Sequence, residues 1–219
     1  MLCFGIIETR VACRRIQTRQ IDKKGDGIMI KNVKVYGLDE SVKASKYPMA
    51  VNTEDCTEFI TSTVKSLGTC EKGTGHDQFL TGIIVQFDLT LSLKAWTEAE
   101  RYHFLDFVSS QSTMHKITKF DVEKQCNEYV TQTAIDNINQ LIEDYKKYQT
   151  KEGYLKILYN IPSGFRLTAR MTTNYRQLKT IWSQRRCHRL PEWREFCEWI
   201  ERLPYFKELC IGEKEGEIK

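Results

Sequence analysis

The sequence predicts an α+β fold in which helices pack on a mainly antiparallel sheet. Residues 83–92 and 165–171 alternate apolar and polar side chains, which is typical of half-buried strands. Residues 131–158 and 174–185 have the periodicity of amphipathic helices. Because strands and helices come in a mixed order, an antiparallel sheet is favoured over a strictly alternating parallel one.

Size and composition predict one soluble domain. The chain has 219 residues, of which 41% are hydrophobic, enough to bury one substantial core. No apolar run is long enough to span a bilayer, so we expect no membrane partner. The eight cysteines are scattered without a CxxC pair, which favours free thiols in a reduced, cytosolic compartment. The four histidines lack metal-ligand spacing, so we expect no metal site.

The first 28 residues differ from the rest in charge. They contain six Lys/Arg and three Asp/Glu, which leaves a net charge of +1 from Met29 onward. The residues KKGDGI before Met29 can be encoded by a purine-rich stretch that resembles a bacterial ribosome-binding site. We therefore expect residues 1–28 to be a non-native or disordered extension and residues 29–219 to be the domain. A genuine N-terminal arm is the alternative.

The first half of the domain carries ordinary scaffold signals. The residues IKNVKVYGL predict a first strand that ends near Gly37. Asn52 to Asp55 predict the N-terminus of a helix over CTEFITSTVKSL, with Phe59 on its inner face. The strand at residues 83–92 follows, with Ile83, Val85, Phe87, Leu89 and Leu91 facing inward.

Residues 95–111 then predict a helix. Trp96, Ala99, His103 and Phe107 fall on one helical face. A histidine on such a face is more often a core residue than a catalyst. The helix is followed by SSQSTMH, whose hydroxyl groups could cap a helix end or contact a phosphate or a sugar.

The helix at residues 174–185 has an unusual buried stripe that ends in a guanidinium, that of Arg185. Arginine does not lose its charge, so an inward arginine needs an anionic partner. That partner could be a nearby glutamate or a group of a bound ligand. Pro191 then predicts the first turn of a last helix.

Three segments resemble the flavin-dependent thymidylate synthases, the ThyX family. Gly75-His76 and the strand FDLTL are similar to the family's G-H-x-S-x-x-E-H and F-x-F-x-I. KAWTEAERYHFLDFVSSQSTMH aligns without gaps with the family's helix and its R-H-R-x7-S signature. IPSGFRLTARMTTNYRQLKTIWSQRRCHRLPEW is similar to L-P…T-x-N-x-R-S-L…L-R…A-Q-W-E. In that third segment Pro162, Thr172, Asn174, Arg176, Leu178 and Arg185 fall in register.

The signature is altered around His103, which stands at its central histidine. Tyr102 and Phe104 replace the two flanking arginines, whereas Ser112 keeps the signature serine. Each charge-assisted contact to a phosphate is worth roughly 1.5–3 kcal/mol, so such losses weaken phosphate binding. Aromatic replacements also shift recognition from charge towards stacking.

The resemblance implies reductive methylation of dUMP, or a related modification of a pyrimidine nucleotide, with FAD, NADPH and methylenetetrahydrofolate. It also implies a homotetramer whose sites are assembled across subunits. By resemblance, Arg185 and Ser112 are the catalytic residues. The binding residues are Ser110, Gln111, Ser112 and Arg185 for the nucleotide, and His103, Asn174 and Arg176 for the flavin.

Two other classes of function remain open. The segment from Arg166 to Arg189 is densely basic and contains Tyr175 and Trp182, which favours a non-catalytic nucleotide- or nucleic-acid-binding protein on the same scaffold. The acidic EWREFCEWIE that follows weighs against nucleic acid. A purely structural or interaction protein is the third hypothesis, and no feature of the sequence points to it.

Overall fold

The computed structural model describes residues 28–71 and 73–212. The described strands are β1 (Met29–Tyr36), β2 (Ile84–Ser92), β3 (Asp106–Ser110) and β4 (Arg166–Asn174). The described helices are α1 (Leu38–Ala44), α2 (Ser62–Thr69), α3 (Leu93–Ala99), α4 (Thr113–Lys116), α5 (Val122–Gln125), α6 (Gln132–Tyr148), α7 (Lys151–Tyr159), α8 (Tyr175–Arg185) and α9 (Pro191–Ile200). Short 3-10 segments lie at Tyr47–Met49, Thr53–Asp55, His76–Gly82 and Ile117–Lys119, and a π-type turn at Lys207–Ile211.

The four strands form one antiparallel sheet in the order β1-β2-β4-β3. The central strands β2 and β4 pair over nine residues, which places Phe87 opposite Met171. Both side chains are fully buried on the inner face, as are Val85 and Leu89. Because side chains alternate along a strand, the polar residues between them lie on the opposite face. The α+β fold with an antiparallel sheet is confirmed.

Helices cover the inner face of the sheet and build the main core. Leu178 and Ile181 of α8 and Phe196 of α9 are fully buried in the same cluster as Phe87. The aromatic rings of Phe87 and Phe196 are 5.9 Å apart between centroids. The predicted last helix is confirmed, with Pro191 in its first turn. The core therefore fixes α8, the helix that carries Arg185, against both the sheet and α9.

A second, smaller hydrophobic cluster lies under α6 and α7. It contains Ile138, Ile157 and Phe165, each fully buried. The side chains of Thr131 and Thr150 cap the two helices by accepting from the backbone N–H of the third residue of each, Ala134 and Gly153. The amphipathic pattern at residues 131–158 is therefore confirmed as two helices.

The predicted helix at residues 95–111 is wrong beyond its first turns. α3 ends at Ala99, and residues 106–110 instead form strand β3 on the free edge of β4. His103 lies in the connecting turn and is exposed, so it is not a core histidine. Phe107 still packs on Trp96, with ring centroids 4.9 Å apart. In β3, the backbone N–H and C=O groups of the Phe-Val-Ser-Ser segment pair with β4. Phenylalanine, valine and serine also have low helix propensity, which disfavours a helix here.

The predicted helix over residues 56–67 is also displaced. It begins only at Ser62, where Thr61 caps it by accepting from the N–H of Val64. Phe59 is 68% exposed and does not form an inner face. The ammonium of Lys46 binds the carbonyl oxygens of Thr57 and Phe59, which holds this segment in an extended course. These backbone acceptors are therefore not available to a helix that starts earlier.

In the described residues, no helix is both long enough and apolar enough to cross a membrane. The prediction that residues 1–28 are an extension before a natural start at Met29 falls, apart from Ile28, outside the described residues.

Candidate active site

The inward arginine predicted from the sequence lies at the end of α8. The Arg185 side chain is 13% exposed. Its Nη1 donates to Glu98 Oε2 at 2.9 Å, and its Nε donates to the hydroxyl of Tyr102 at 2.7 Å. The guanidinium also lies over the ring of Trp193, 4.9 Å from the centroid. The chain therefore supplies an anionic partner for Arg185 itself, the carboxylate of Glu98.

Glu98 lies in the last turn of α3 and is held from several sides. Its Oε2 also accepts from the indole N–H of Trp193 at 3.0 Å, and its Oε1 lies 3.5 Å from the ammonium of Lys94, one turn earlier. Burial alone would raise the pKa of Glu98. The nearby His188 and Arg185 and the hydrogen bond from Trp193 outweigh burial and lower that pKa. The carboxylate is therefore charged at neutral pH.

His188 completes the cluster around the guanidinium. Its Nε2 lies 2.7 Å from Arg185 Nη1, and its Nδ1 accepts from the backbone N–H of Leu190 at 3.2 Å. Burial and the charge of Arg185 lower the pKa of His188, and Glu98 only partly opposes them. Because Nδ1 accepts, the single proton of the neutral ring lies on Nε2, which is 3.4 Å from Glu98 Oε2. The lowered pKa keeps the imidazole neutral at pH 7, so the partly buried pair of Arg185 and Glu98 is balanced in charge.

One donor group of Arg185 remains free. No acceptor among the described residues contacts Nη2, and Nη2 is not one of the buried atoms left without a partner there. It therefore keeps access to solvent. A neutral acceptor, such as a carbonyl oxygen of a ligand, can bind Nη2 without displacing Glu98 or Tyr102.

A hollow of about 300 Å³ lies at the turn between α3 and β3. Tyr102, His103 and Phe107 contribute to its wall, together with the carboxylates of Glu100 and Asp106. The side chain of His103 has no hydrogen-bond partner among the described residues and is exposed. The altered signature therefore surrounds a space that is aromatic and acidic, in which a phosphate would meet two carboxylates.

The hydroxyl-rich segment lies at the end of β3. Ser110 pairs with Ala169 in the sheet, and Gln111 binds the backbone of Thr168 through its own N–H and its side-chain oxygen. Ser112 stands at the N-cap position of α4, yet its side chain makes no capping hydrogen bond. The hydroxyl of Ser112 therefore does not cap a helix. It remains available for the other predicted role, contact with a ligand.

Asn174 and Arg176 lie at the beginning of α8. Asn174 Oδ1 caps the helix by accepting from the N–H of Gln177 at 2.9 Å. Arg176 Nε donates to Asp77 Oδ1 at 3.0 Å, and its Nη1 donates to the side chain of Gln78 at 2.7 Å. Both residues therefore have structural roles. Each also keeps a donor without a partner among the described residues, Nδ2 of Asn174 and Nη2 of Arg176.

The structure separates Asn174 and Arg176 from the other predicted site residues. Arg185 lies beside Tyr102, the neighbour of His103, at one end of α8. Asn174 and Arg176 lie at the other end, about 16 Å away for a helix of eleven residues. Ser110 pairs with Ala169, which lies five residues before Asn174 in β4. Ser110 is therefore displaced from Asn174 by roughly 16 Å along the strand. A single chain therefore does not bring all of these residues into one pocket.

The basic run between Arg166 and Arg189 is largely used within the fold. Arg170 binds Asp88 at 3.1 Å, and Lys179 binds Asp77 at 2.9 Å. Arg186 lies over the ring of Trp182, 4.6 Å from the centroid. With Arg176 and Arg185 also paired to carboxylates, this segment does not form a continuous cationic surface of the kind that tracks a nucleic-acid backbone.

A larger cleft of about 470 Å³ lies near the start of α9. Tyr129, Arg166 and Glu195 contribute to its wall, and none of the predicted site residues is among the described residues that line it. Glu192 in its wall is bound to the backbone and the hydroxyl of Ser92 at 2.7 and 2.8 Å. Lys94, which also lines this cleft, connects it to Glu98. Within the described residues, no group of three or more His, Cys, Asp and Glu side chains is placed to hold a metal ion.

The sequence prediction missed the residues that fix Arg185. Glu98 and Trp193 contact it from two other helices, 87 residues before it and eight residues after it along the chain. A weak signal existed, because Glu98 precedes Tyr102 by one helical turn and follows Lys94 by another. Periodicity places such residues on one face of a helix, but it does not indicate which faces of different helices contact each other.

No protein-family model matches this sequence, and no curated protein matches it. Solved structures do match its fold. Flavin-dependent thymidylate synthase ThyX from Helicobacter pylori, complexed with FAD and dUMP, aligns with a TM-score of 0.62 and 14% identity over 83% of this chain and 96% of that one. A second ThyX structure from Helicobacter pylori with FAD and dUMP gives 0.62 and 15%, over 83% and 95%.

The third similar structure is a UMP/dUMP methylase, PolB from Streptomyces cacaoi, bound with 5-Br dUMP. It aligns with a TM-score of 0.59 and 16% identity, over 83% of this chain and 91% of that one. The structural neighbours of this chain are thus enzymes that act on pyrimidine nucleotides. The predicted resemblance to the ThyX enzymes is confirmed at the level of the fold, which is what identities this low show.

Proposed function

We propose that this protein is an enzyme that modifies a pyrimidine deoxynucleotide such as dUMP in a flavin-dependent reaction of the ThyX type. The observation that carries this proposal is the fixed guanidinium of Arg185, in which one donor has no partner among the described residues, on a fold shared with enzymes solved with dUMP or 5-Br dUMP. A donor held in this way binds an acceptor without losing further side-chain freedom, which favours tight and oriented binding.

The substrate role of Arg185 follows from its free Nη2. A carbonyl oxygen of a uracil ring is a suitable acceptor for that group, and a cationic donor polarises the ring for reaction at its unsaturated carbons. The hydroxyl of Ser112, which caps no helix, is the second proposed contact to the substrate, together with Ser110 and Gln111. No covalent nucleophile is required of the protein in this scheme.

The residues proposed for the flavin offer suitable donors. His103, Asn174 Nδ2 and Arg176 Nη2 can each bind a phosphate or a carbonyl oxygen of FAD, since no described residue occupies them. Reduced flavin, when bound, supplies the hydride, and methylenetetrahydrofolate and NADPH are the proposed carbon and electron donors. Asn174 and Arg176 are held by the helix start and by Asp77, so their positions are fixed before any ligand binds.

Assembly is part of this proposal. In one chain, the proposed flavin residues at the start of α8 lie about 16 Å from Arg185. A homotetramer, as the resemblance implies, would join the beginning of α8 in one subunit to the nucleotide residues of another. Size-exclusion chromatography with light scattering measures this directly, and a monomer that turns over substrate would contradict it.

The deciding experiment is an absorbance spectrum of the purified protein, followed by titration with FAD and dUMP. We expect a flavin-type spectrum and a rise in melting temperature with dUMP, because a ligand that binds only the folded state stabilises it. Absence of flavin binding, together with an unchanged melting temperature in dUMP, would contradict the proposal. Salt-dependent binding to a single-stranded oligonucleotide without flavin would instead support the strand-binding alternative.

A further inference from the structure

The cleft near the start of α9 is separate from the residues of the proposed site. Its volume, about 470 Å³, is in the range of pockets that hold a ligand. Glu192 of α9 accepts from the backbone N–H and the hydroxyl of Ser92 at 2.7 and 2.8 Å. The N–H of Asn127 donates to the carbonyl oxygen of Gly164 at 3.0 Å. Because hydrogen bonds connect these walls to one another, the cleft is formed before anything occupies it.

Carboxylates outnumber cations in the wall of this cleft. Three negative and two positive charges come from Glu128, Glu192, Glu195, Lys94 and Arg166. Within the described part of the chain, none of the three carboxylates forms a salt bridge. Lys94 lies 3.5 Å from Glu98, and the guanidinium of Arg166 donates to two backbone carbonyl oxygens. Since Ser92 binds Glu192, the carboxylates of Glu128 and Glu195 are the ones left for a cation.

The first described residue lies at this cleft. The backbone N–H of Ile28 donates to Glu195 Oε2 at 2.9 Å, and the side chain of Ile28 packs against the main core. Residues 1–27 are therefore attached to the fold at the cleft wall. They contain six Lys/Arg and three Asp/Glu, a net charge of +3. Lys23 and Lys24 precede Ile28 by five and four residues, so even a fully extended chain keeps them within about 18 Å of it.

We infer that this cleft is the docking site of the basic segment 1–27 of the same chain, with Lys23 and Lys24 placed against Glu128 and Glu195. Each such ion pair near the surface is weak by itself. A tethered segment, however, is present at an effective concentration of roughly millimolar, so weak contacts are sufficient to hold it. The inference favours the genuine N-terminal arm that the sequence leaves open as an alternative. It does not depend on the proposed function, because it uses none of the residues of that site.

Limited digestion of the full-length protein with trypsin tests this inference. Trypsin cleaves after lysine and arginine, and mass spectrometry measures the rate of cleavage after Lys23 and Lys24. A docked segment is cleaved only in the fraction of molecules in which it has left the cleft. In the unaltered protein we therefore expect slow cleavage that accelerates as NaCl is raised to about 0.5 M, since salt screens the ion pairs.

The diagnostic variant combines Glu128→Gln with Glu195→Gln. Glutamine at position 195 keeps an acceptor for the N–H of Ile28, so only the two charges are lost. We expect cleavage after Lys23 and Lys24 to be about fivefold faster than in the unaltered protein, and to respond less to NaCl. The matched control combines Glu143→Gln on α6 with Glu152→Gln on α7, which removes the same charge from exposed positions and should leave the rate unchanged.

Three results would overturn the inference. The first is an equal rate of cleavage in the cleft variant and in its matched control. The second is slow cleavage that becomes fast on dilution of the protein, because the cleft would then hold the segment of a second copy. The third is a native N-terminus at Met29, since the natural chain would then have no arm to dock. If the double variant does not fold, Glu128→Gln alone, at an exposed position, still decides between these outcomes.

Discussion

Each end of α8 contacts a largely covered carboxylate, but the two ends differ in the hydrogen-bond donors that they leave without a partner. At the N-terminal end, Asp77 is 7% exposed and accepts from Arg176 at 3.0 Å and Lys179 at 2.9 Å. The ammonium of Lys179 also donates to the carbonyl oxygens of Gly68 and Cys70. All three hydrogens of that ammonium are therefore used within the fold. Asp77, Arg176 and Lys179 thus connect α2, the 3-10 segment His76–Gly82 and α8, and we call this group a structural clamp.

At the C-terminal end, Glu98 is 14% exposed and accepts from Arg185 and from the indole N–H of Trp193, and the ammonium of Lys94 lies 3.5 Å from its other oxygen. Arg185 Nη2 has no partner among the described residues, and His188 beside it is neutral. The donors of Lys179 are thus all used at the N-terminal, closed end of α8, whereas Arg185 keeps one donor at the C-terminal, open end. Burial and pairing of a charge therefore do not by themselves distinguish a structural site from a binding site. What distinguishes them is whether the cation keeps a hydrogen-bond donor for a ligand.

The largest expected effect is on stability, at the closed end. Asp77→Asn leaves two cations without a charged partner, and loss of one member of a buried ion pair costs about 3 kcal/mol or more. Urea unfolding of the variant and of the unaltered protein measures the loss. Asp121→Asn, which breaks an exposed pair with Lys124, should leave the urea midpoint almost unchanged. Equal losses in the two variants would show that Asp77 is not a clamp.

The second expected effect is on binding, at the open end. Arg185→Ala should weaken binding of dUMP by at least about tenfold, since it removes a charged donor worth roughly 1.5–3 kcal/mol. Arg185→Lys should not restore binding, because the single nitrogen of lysine cannot lie beside Glu98 and Tyr102 and also occupy the position of Nη2. The matched control is Lys179→Ala, which should lower stability and leave the affinity of the folded protein unchanged. A normal affinity in Arg185→Ala would remove Arg185 from the site.

A smaller effect should separate two tryptophans that both donate to a glutamate. Trp193→Phe removes the donor to Glu98 at 3.0 Å and should cost about 1 kcal/mol while also weakening ligand binding, because Arg185 loses part of its support. Trp182→Phe removes the donor to Glu201 at 2.8 Å, whose side chain is 31% exposed, so water can replace it at little cost. Titration with dUMP should therefore distinguish the variants. Equal affinities would show that Trp193 only packs.

Local patterns were sufficient for the elements that bury one regular face. Alternation in β2 and helical spacing in α6 and α9 were predicted correctly because each stripe faces a single hydrophobic cluster. The region after Ala99 was predicted incorrectly. The spacing of its apolar residues fits a helix, whereas its backbone pairs with β4, about 60 residues later in the chain. Hydrogen bonds between distant strands leave no trace in local periodicity.

The same limit applies to the site. The sequence predicted that Arg185 points inward and that its partner is a glutamate or a ligand, because a buried guanidinium must be compensated. It could not identify Glu98, since three helices have to meet before that carboxylate reaches Arg185. The pairing of Asp77 with Arg176 and Lys179, across about 100 residues of sequence, was hidden for the same reason.

The smallest expected effect is a dependence on pH, and it belongs to the open end. The pKa of His188 is lowered by burial and by Arg185 from its usual value of 6.5, so the folded state favours the neutral ring. Its contribution to stability is therefore present above pH 6.5 and is lost as the pH falls through the lowered value. The melting temperature should decrease slightly between pH 7 and pH 5, and His188→Gln should remove part of that decrease. His115→Gln, at an exposed position on α4, is the control and should leave the profile unchanged. An identical profile in His188→Gln would mean that burial and Arg185 do not lower the pKa of His188 in the folded protein.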